Sequence, residues 1–193
     1  MAGEPGFLMR ARGFTMIEMM IGLSIMALLL MLAMPAFIEF TANAKVRNVT
    51  EGLLNGLRQA QLEAVKRNTN VRFRMTADGW EVRDVDDDSV LRSEVVFEAT
   101  SANPPKISTE PAGTTEVTFT GLGRVLEKNP PAPPAVGGTE PIAKIKIDPA
   151  DKIGTRSLGI AVSAPGGNLK MCDPDTKFTY DGSVDPLACP FPW

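Results

Sequence analysis

The sequence predicts an α+β protein in which a long N-terminal helix, membrane-spanning in its first half, packs on an antiparallel β-sheet. Three observations predict it. Residues 19–38 are twenty consecutive residues without a charge, and at about 1.5 Å rise per residue such a helix spans roughly 30 Å, the hydrocarbon thickness of a bilayer. Beyond them, apolar residues recur at helical spacing as far as Ala64. From Val71 onward, short runs alternate between apolar and polar residues and are separated by Gly, Pro, Asn and Asp, the pattern of half-buried strands. A chain of 193 residues fits one soluble domain plus an anchor, and the part after the anchor can still build a modest core. The formal charge of −3 argues against wholesale coating of nucleic acid. The chain has no His, which removes the commonest general base and metal ligand and weakens any enzyme reading.

The first element is preceded by a short leader, MAGEPGFLMRARG, with Arg10, Arg12 and a final Gly13. A secretory signal peptide has an apolar core of about 7–15 residues followed by a small-residue cut. Here the core is longer and a carboxylate, Glu18, stands at its near edge; a cut near Ala36 is the alternative. An ordinary single-pass anchor, cytoplasmic at its Arg-bearing end, accounts for the arginines and the length. It does not account for Glu18, because a carboxylate at helix centre costs roughly 2.5–3.5 kcal/mol and is usually there for a partner.

The run Arg12-Gly13-Phe14-Thr15-Met16-Ile17-Glu18 resembles the prepilin signal of type IV pilins and type II secretion pseudopilins. The resemblance implies that a prepilin peptidase cuts after Gly13 on the cytoplasmic side, and that the new N-terminal residue, Phe14, is then N-methylated. It places Glu18 at the family's acidic position, fifth after the cut, and Pro35 where many members carry a helix-breaking proline. The physical logic agrees. When such helices bundle, one subunit's Glu18 can neutralise a neighbour's freed α-amine, and the cost of an unpaired charge in low dielectric selects the register. Small residues, Gly22, Ser24, Ala27 and Ala33, allow close helix packing. Pro35 lacks an N–H and disturbs one turn. Its plain role is a kink; its family-like role is to let the helix bend or melt locally in a filament.

The helix continues over about 41–67. Val46, Val49, Leu53, Leu57, Ala60 and Ala64 lie on one narrow stripe expected to rest on the sheet. Asn48, Glu51, Asn55, Arg58, Gln61 and Lys66 form the opposite, polar side. Gly52 and Gly56 either admit a close approach of the sheet or add flexibility. Residues 71–75 and 80–85 read as a hairpin around Ala77-Asp78-Gly79, and 90–97 as a further strand. Asp86-Asp87-Asp88 reads as a solvated turn, since no Gly-spaced calcium loop with a distal Glu follows.

Residues 101–113, with Pro104, Pro105 and Pro111, read as a loop. Residues 115–120 alternate again, and Gly121 and Gly123 turn into Arg124-Val125-Leu126. The run from Asn129 to Pro134 reads as a stiff extended spacer. Residues 143–148 and 156–163 read as a strand pair, followed by a turn at Gly166-Gly167 into 168–172. The two cysteines, Cys172 and Cys189, belong to a domain delivered across a membrane and are expected to be oxidised. Their bridge closes a loop worth about 3 kcal/mol in the chain-entropy picture. A redox-active pair is the rival, but the spacing is not C-x-x-C, and metal binding would need ligands not evident nearby.

Across the chain, the strand directly after the helix, Phe119 with Gly123-Arg124, and the run from Arg156 to Ser163 leading to Cys172 resemble GspH/FimT-type minor pilins. Some members of that group bind DNA through a Gly-Arg-x-Arg element before the C-terminal Cys. Here that place reads Gly167-Asn168-Leu169-Lys170, without either arginine, so DNA is a disfavoured partner. The other basic cluster, Lys66, Arg67, Arg72 and Arg74, reads as a solvated face. The sequence therefore predicts a removed leader at 1–13, a transmembrane and assembly helix at 14–40 and a soluble domain at 41–193. The expected role is a non-catalytic minor pilin that helps to initiate or modify a type IV pilus, with no cofactor, metal or catalytic residue. Its expected partners are the prepilin peptidase, other major and minor pilins and the inner membrane, with the N-terminus cytoplasmic. After assembly it is expected in the pilus or in a periplasmic pseudopilus. The alternative is a minor pseudopilin of a type II secretion system.

Overall fold

The computed structural model describes residues 13–96, 103–131, 138–150, 156–176 and 187–189. Most of the leader, the end of the third expected strand at Phe97, the stretch 132–137 of the proline-rich run and most of the tail lie outside these residues. The chain divides into two compact units, Met1–Ile38 and Glu39–Trp193. One helix, α1 (Met16–Arg67), is followed by β1 (Val71–Met75), β2 (Gly79–Asp84), β3 (Val90–Val95) and β4 (Lys106–Glu110). Then come β5 (Glu116–Phe119), β6 (Lys144–Asp148), β7 (Leu158–Ser163) and β8 (Asn168–Cys172). The antiparallel sheet expected from the sequence is two four-stranded sheets, ordered β3-β2-β1-β5 and β4-β6-β7-β8, with every neighbouring pair antiparallel.

In the second unit, all six stripe residues of α1, Val46, Val49, Leu53, Leu57, Ala60 and Ala64, are buried. They share one core with Val71 and Phe73 of β1, Trp80 and Val82 of β2, Val117 and Phe119 of β5, and Ile145, Ile147 and Ile160 of the second sheet. The glycines decide how close helix and sheet come. A Cβ built on Gly56 would lie 2.5 Å from Trp80 Cδ2, and one on Gly52 would lie 2.5 Å from a Val96 methyl carbon. Close approach is thus their role, and it admits the largest side chain of the core. Trp80 also stacks on Phe73 with ring centroids 6.3 Å apart, a contact worth about 0.5–1.5 kcal/mol beyond area burial.

The alternation in β1 that buries Val71 and Phe73 sends Arg72 and Arg74 to the other face, where the register sets them beside Arg83, Glu81, Glu116 and Thr118. Arg74 Nε donates to Glu116 Oε1 at 2.6 Å, and Arg83 Nε to Glu81 Oε1 at 2.7 Å. Here the expected solvated face is corrected. Arg72 is only 1% exposed, and its Nη2 donates to the Pro130 carbonyl at 2.6 Å. The start of the proline-rich run is no mere spacer either. Asn129 is buried; its side chain accepts from Thr118 Oγ1 at 3.0 Å and donates to the Glu116 carbonyl at 3.0 Å. Asn129 and Pro130 together close the second face over Arg72.

Two further readings change. The loop expected over 101–113 contains β4, an edge strand paired only with β6. Its prolines flank the strand without interrupting it, and an edge strand needs its backbone donors on one side only. Cross-strand pairs set its register: Ile107 lies opposite Ile147, and Glu110 opposite Lys144, whose Nζ is 2.8 Å from its carboxylate. Gln61, expected on the polar side of α1, is partly buried. Its Nε2 donates to the carbonyls of Gly123 at 2.8 Å and Gly167 at 3.0 Å, tying the turn after β5 and the β7–β8 turn to the helix.

Candidate functional site

The sequence places the candidate processing and assembly residues in the first unit. Gly13, Phe14 and Thr15 precede the helix in non-helical backbone, and all three are exposed. Phe14 is 78% exposed, and a Cβ on Gly13 or Gly22 would meet nothing within 4 Å. Thr15 starts the helix. Its carbonyl accepts from Met19 N at 3.2 Å and its hydroxyl from Glu18 N at 3.3 Å. Glu18 lies in the first turn, where a negative charge complements the positive end of the helix. Its carboxylate has no ion-pair or hydrogen-bond partner among the described residues. Pro35 lies inside the helix and withholds one i→i−4 donor.

The stretch between Glu18 and Glu39 has a window of mean hydropathy 2.4, and none of that window is buried. Ser24 offers the hydroxyl there, and it donates to the Met20 carbonyl at 2.8 Å, so that polar group is satisfied within the helix. An apolar surface of this length without cover from the described residues is chemically suited to lipid or to a bundle of like helices.

The other candidate sites resolve into internal contacts. At the end of α1, Glu63 is buried and faces Arg67 at 3.2 Å, Lys66 at 3.8 Å and, from β3, Arg92 at 3.7 Å. The hydrogen bond from Arg67 lowers the Glu63 pKa, against the opposing effect of burial. Arg74 is paired with Glu116 and Glu81. With Arg72 buried, Lys66, Arg67, Arg72 and Arg74 do not form a free cationic patch. In β8, the one cation of the Gly167-Asn168-Leu169-Lys170 element, Lys170, donates to the Ala188 carbonyl at 3.4 Å. In the Asp-rich turn, Asp88 pairs with Arg83 at 3.0 Å, and Asp87 accepts from Ser89, which lowers the Asp87 pKa.

Cys172, at the end of β8, is disulfide-bonded to Cys189, seventeen residues on. Both are buried with Ala161. Beside the bond, Asp173 N donates to the Leu187 carbonyl at 2.6 Å, so the described tail residues run against the end of the last strand. Sequence reasoning did not single out Thr15 as a helix start, although Thr-x-x-Glu is a local capping signal. It also missed the partly buried Gln61 and the buried Arg72 and Asn129 as connectors between elements.

Comparison with known proteins adds the following. A model of the prokaryotic N-terminal methylation motif matches residues 8–34. A model described as type II transport protein GspH matches residues 49–166, more than half of the chain. Among solved structures, the chain is similar to the type IV minor pilin FimU of Pseudomonas aeruginosa strain PAO1, at 19% identity and a TM-score of 0.47, over 68% of this chain and 91% of that one. No curated protein matches the sequence. The chain belongs to the GspH family, whose members are structural, non-catalytic subunits.

Proposed function

We propose that this member of the GspH family is a minor pilin of a type IV pilus, a subunit that helps to initiate or modify pilus assembly. The observation that carries the reading is the first unit: Gly13-Phe14 in exposed, non-helical backbone, directly followed by a capped helix whose apolar run is uncovered. In this reading a prepilin peptidase removes residues 1–13 and Phe14 becomes the methylated N-terminus. Residues 14–40 hold the protein in the inner membrane, N-terminus cytoplasmic, until they pack among the helices of other pilins. Glu18 then meets a neighbour's α-amine, which its lack of a partner among the described residues supports. Pro35 supplies the weak turn, and residues 41–193 are displayed outside the bundle.

Intact mass of the protein purified from membranes tests the reading. The expected mature chain begins at Phe14 and carries one added methyl group; a start elsewhere overturns it. Incorporation of Glu18→Ala into sheared fibres is expected to be lost, and normal incorporation would remove Glu18 from the assembly role. A second reading, a minor pseudopilin of a type II secretion system, is favoured by the description of the matching family model. A deletion strain separates the two. Loss of surface fibres supports the first, and periplasmic retention of secreted proteins with fibres intact supports the second. DNA binding is the weakest reading, because Lys170 is already engaged with Ala188. A duplex mobility shift that weakens with salt would restore it.

A further inference from the structure

Thr15 sits where the segment to be removed meets the helix to be kept. Its carbonyl accepts the first intrahelical hydrogen bond, from Met19 N, while its hydroxyl takes Glu18 N, one of the donors that a helix start leaves without a partner. A residue in that position is an N-cap, with non-helical backbone of its own. The spacing Thr15-Met16-Ile17-Glu18 is also that of a capping box. The helix therefore starts at Met16, and Gly13 and Phe14 are left outside it, exposed and free of helical backbone bonds.

This boundary matters for proteolysis. A peptide bond inside an α-helix is wound around the axis, with its N–H and C=O committed to the helix. Enzymes that grip a peptide main chain take it extended, so that backbone groups and alternate side chains are open to contact. Upstream of the cap, Ala11 and Arg12 are good helix formers, so without a stop at Thr15 only Gly13 opposes extension of the helix through the bond.

We propose that Thr15 is a positioning residue for leader removal: as the N-cap of α1, it holds the helix start at Met16 and keeps the Gly13–Phe14 peptide bond extended for the peptidase. The inference rests on the reading that the cut falls after Gly13. It makes the hydroxyl's capping bond the requirement, not the shape of the side chain.

The test uses the full-length precursor in membranes with its peptidase. Thr15→Val keeps the shape and loses the cap; Thr15→Asn changes the shape and keeps a cap. Cleavage of Thr15→Val and Thr15→Ala is expected to slow about five-fold, the size of effect a lost N-cap gives, while Thr15→Ser and Thr15→Asn stay within about two-fold of the parent. In detergent micelles, the backbone carbon shifts of Phe14 in the uncut precursor are expected to move toward helical values in the Val and Ala variants alone. Parent-like cleavage of Thr15→Val, slowing of Thr15→Asn equal to that of Thr15→Val, or unchanged Phe14 shifts would each overturn the proposal. If the parent itself is not cut after Gly13, the underlying reading fails, and the micelle shifts still report on the cap.

Discussion

α1 contains leucines of two kinds. Leu30, in the first unit, is 57% exposed, whereas Leu57, in the second, is 0% exposed. Both lie in one helix, and both are apolar for the same physical reason. Burial of a Leu side chain is worth about 1.5–3 kcal/mol. The second unit collects that energy from its own sheets, through Leu53, Leu57, Phe73, Trp80 and Val117. Among the described residues, the first unit has nothing of its own to collect it from. The contrast teaches that the apolar residues up to Ile38 are addressed to an environment, and the stripe from Val46 to Ala64 to a fold. It also separates two kinds of acid. Glu63 is buried among three cations of its own chain, while Glu18 has no partner among the described residues.

The sharpest way to break this comparison is to make the same substitution in both units. Leu57→Ala is expected to cost about 3 kcal/mol, the range for emptying a packed core site. Leu30→Ala is expected to change the unfolding of the second unit by less than about 0.5 kcal/mol. Denaturant unfolding in detergent, followed by Trp fluorescence, measures both; equal effects would erase the distinction. A smaller effect is expected from Gly56→Ala. In a free helix Ala gains about 1 kcal/mol over Gly, but here the new methyl would press on Trp80, and overpacking costs about 1–3 kcal/mol. A net loss of about 1 kcal/mol follows, whereas Gly22→Ala, in open space, is expected to stabilise its stretch of helix in micelle circular dichroism.

Within the second unit, the smallest expected effect concerns Glu63. Its folded pKa is lowered, with the Arg67 hydrogen bond as the first cause. Its contribution is therefore present above the unfolded-state value of about 4.3 and is lost as pH falls through the lower folded value. With Arg67 and Arg92 both partly exposed, the ion pairs are screened. Glu63→Gln is then expected to cost about 0.5–1 kcal/mol at neutral pH, and the difference from the parent should shrink below about pH 4. A pH-independent difference would assign Glu63 a packing role only.

The parts of the fold that follow from local pattern are legible in the residues. The stripe from Val46 to Ala64 is one, because period and burial coincide. The strand at Val71–Met75 is another, because alternation decides its faces. β4 is not legible: its one apolar residue, Ile107, stands between flanking prolines, and only the pairing with β6 makes those five residues a strand. The polar connectors are illegible for a different reason. Nothing near Arg72 announces the Pro130 carbonyl, 58 residues away, and nothing near Gln61 announces Gly167, 106 residues away. At the N-terminus, the apolar run and Glu18 can be read directly, while the cap at Thr15 becomes visible once the bond to Glu18 N is located.

The double hydrogen bond of Gln61 has a mechanical corollary. One amide nitrogen, on one helical turn, fastens a turn that follows β5 and a turn that joins β7 to β8. Those turns belong to different sheets, and Val125 N bonds the Pro165 carbonyl between them at 3.2 Å. A pull applied along this part of the helix reaches both sheets through the same rivet, so at that point they resist shear together and do not peel away in sequence.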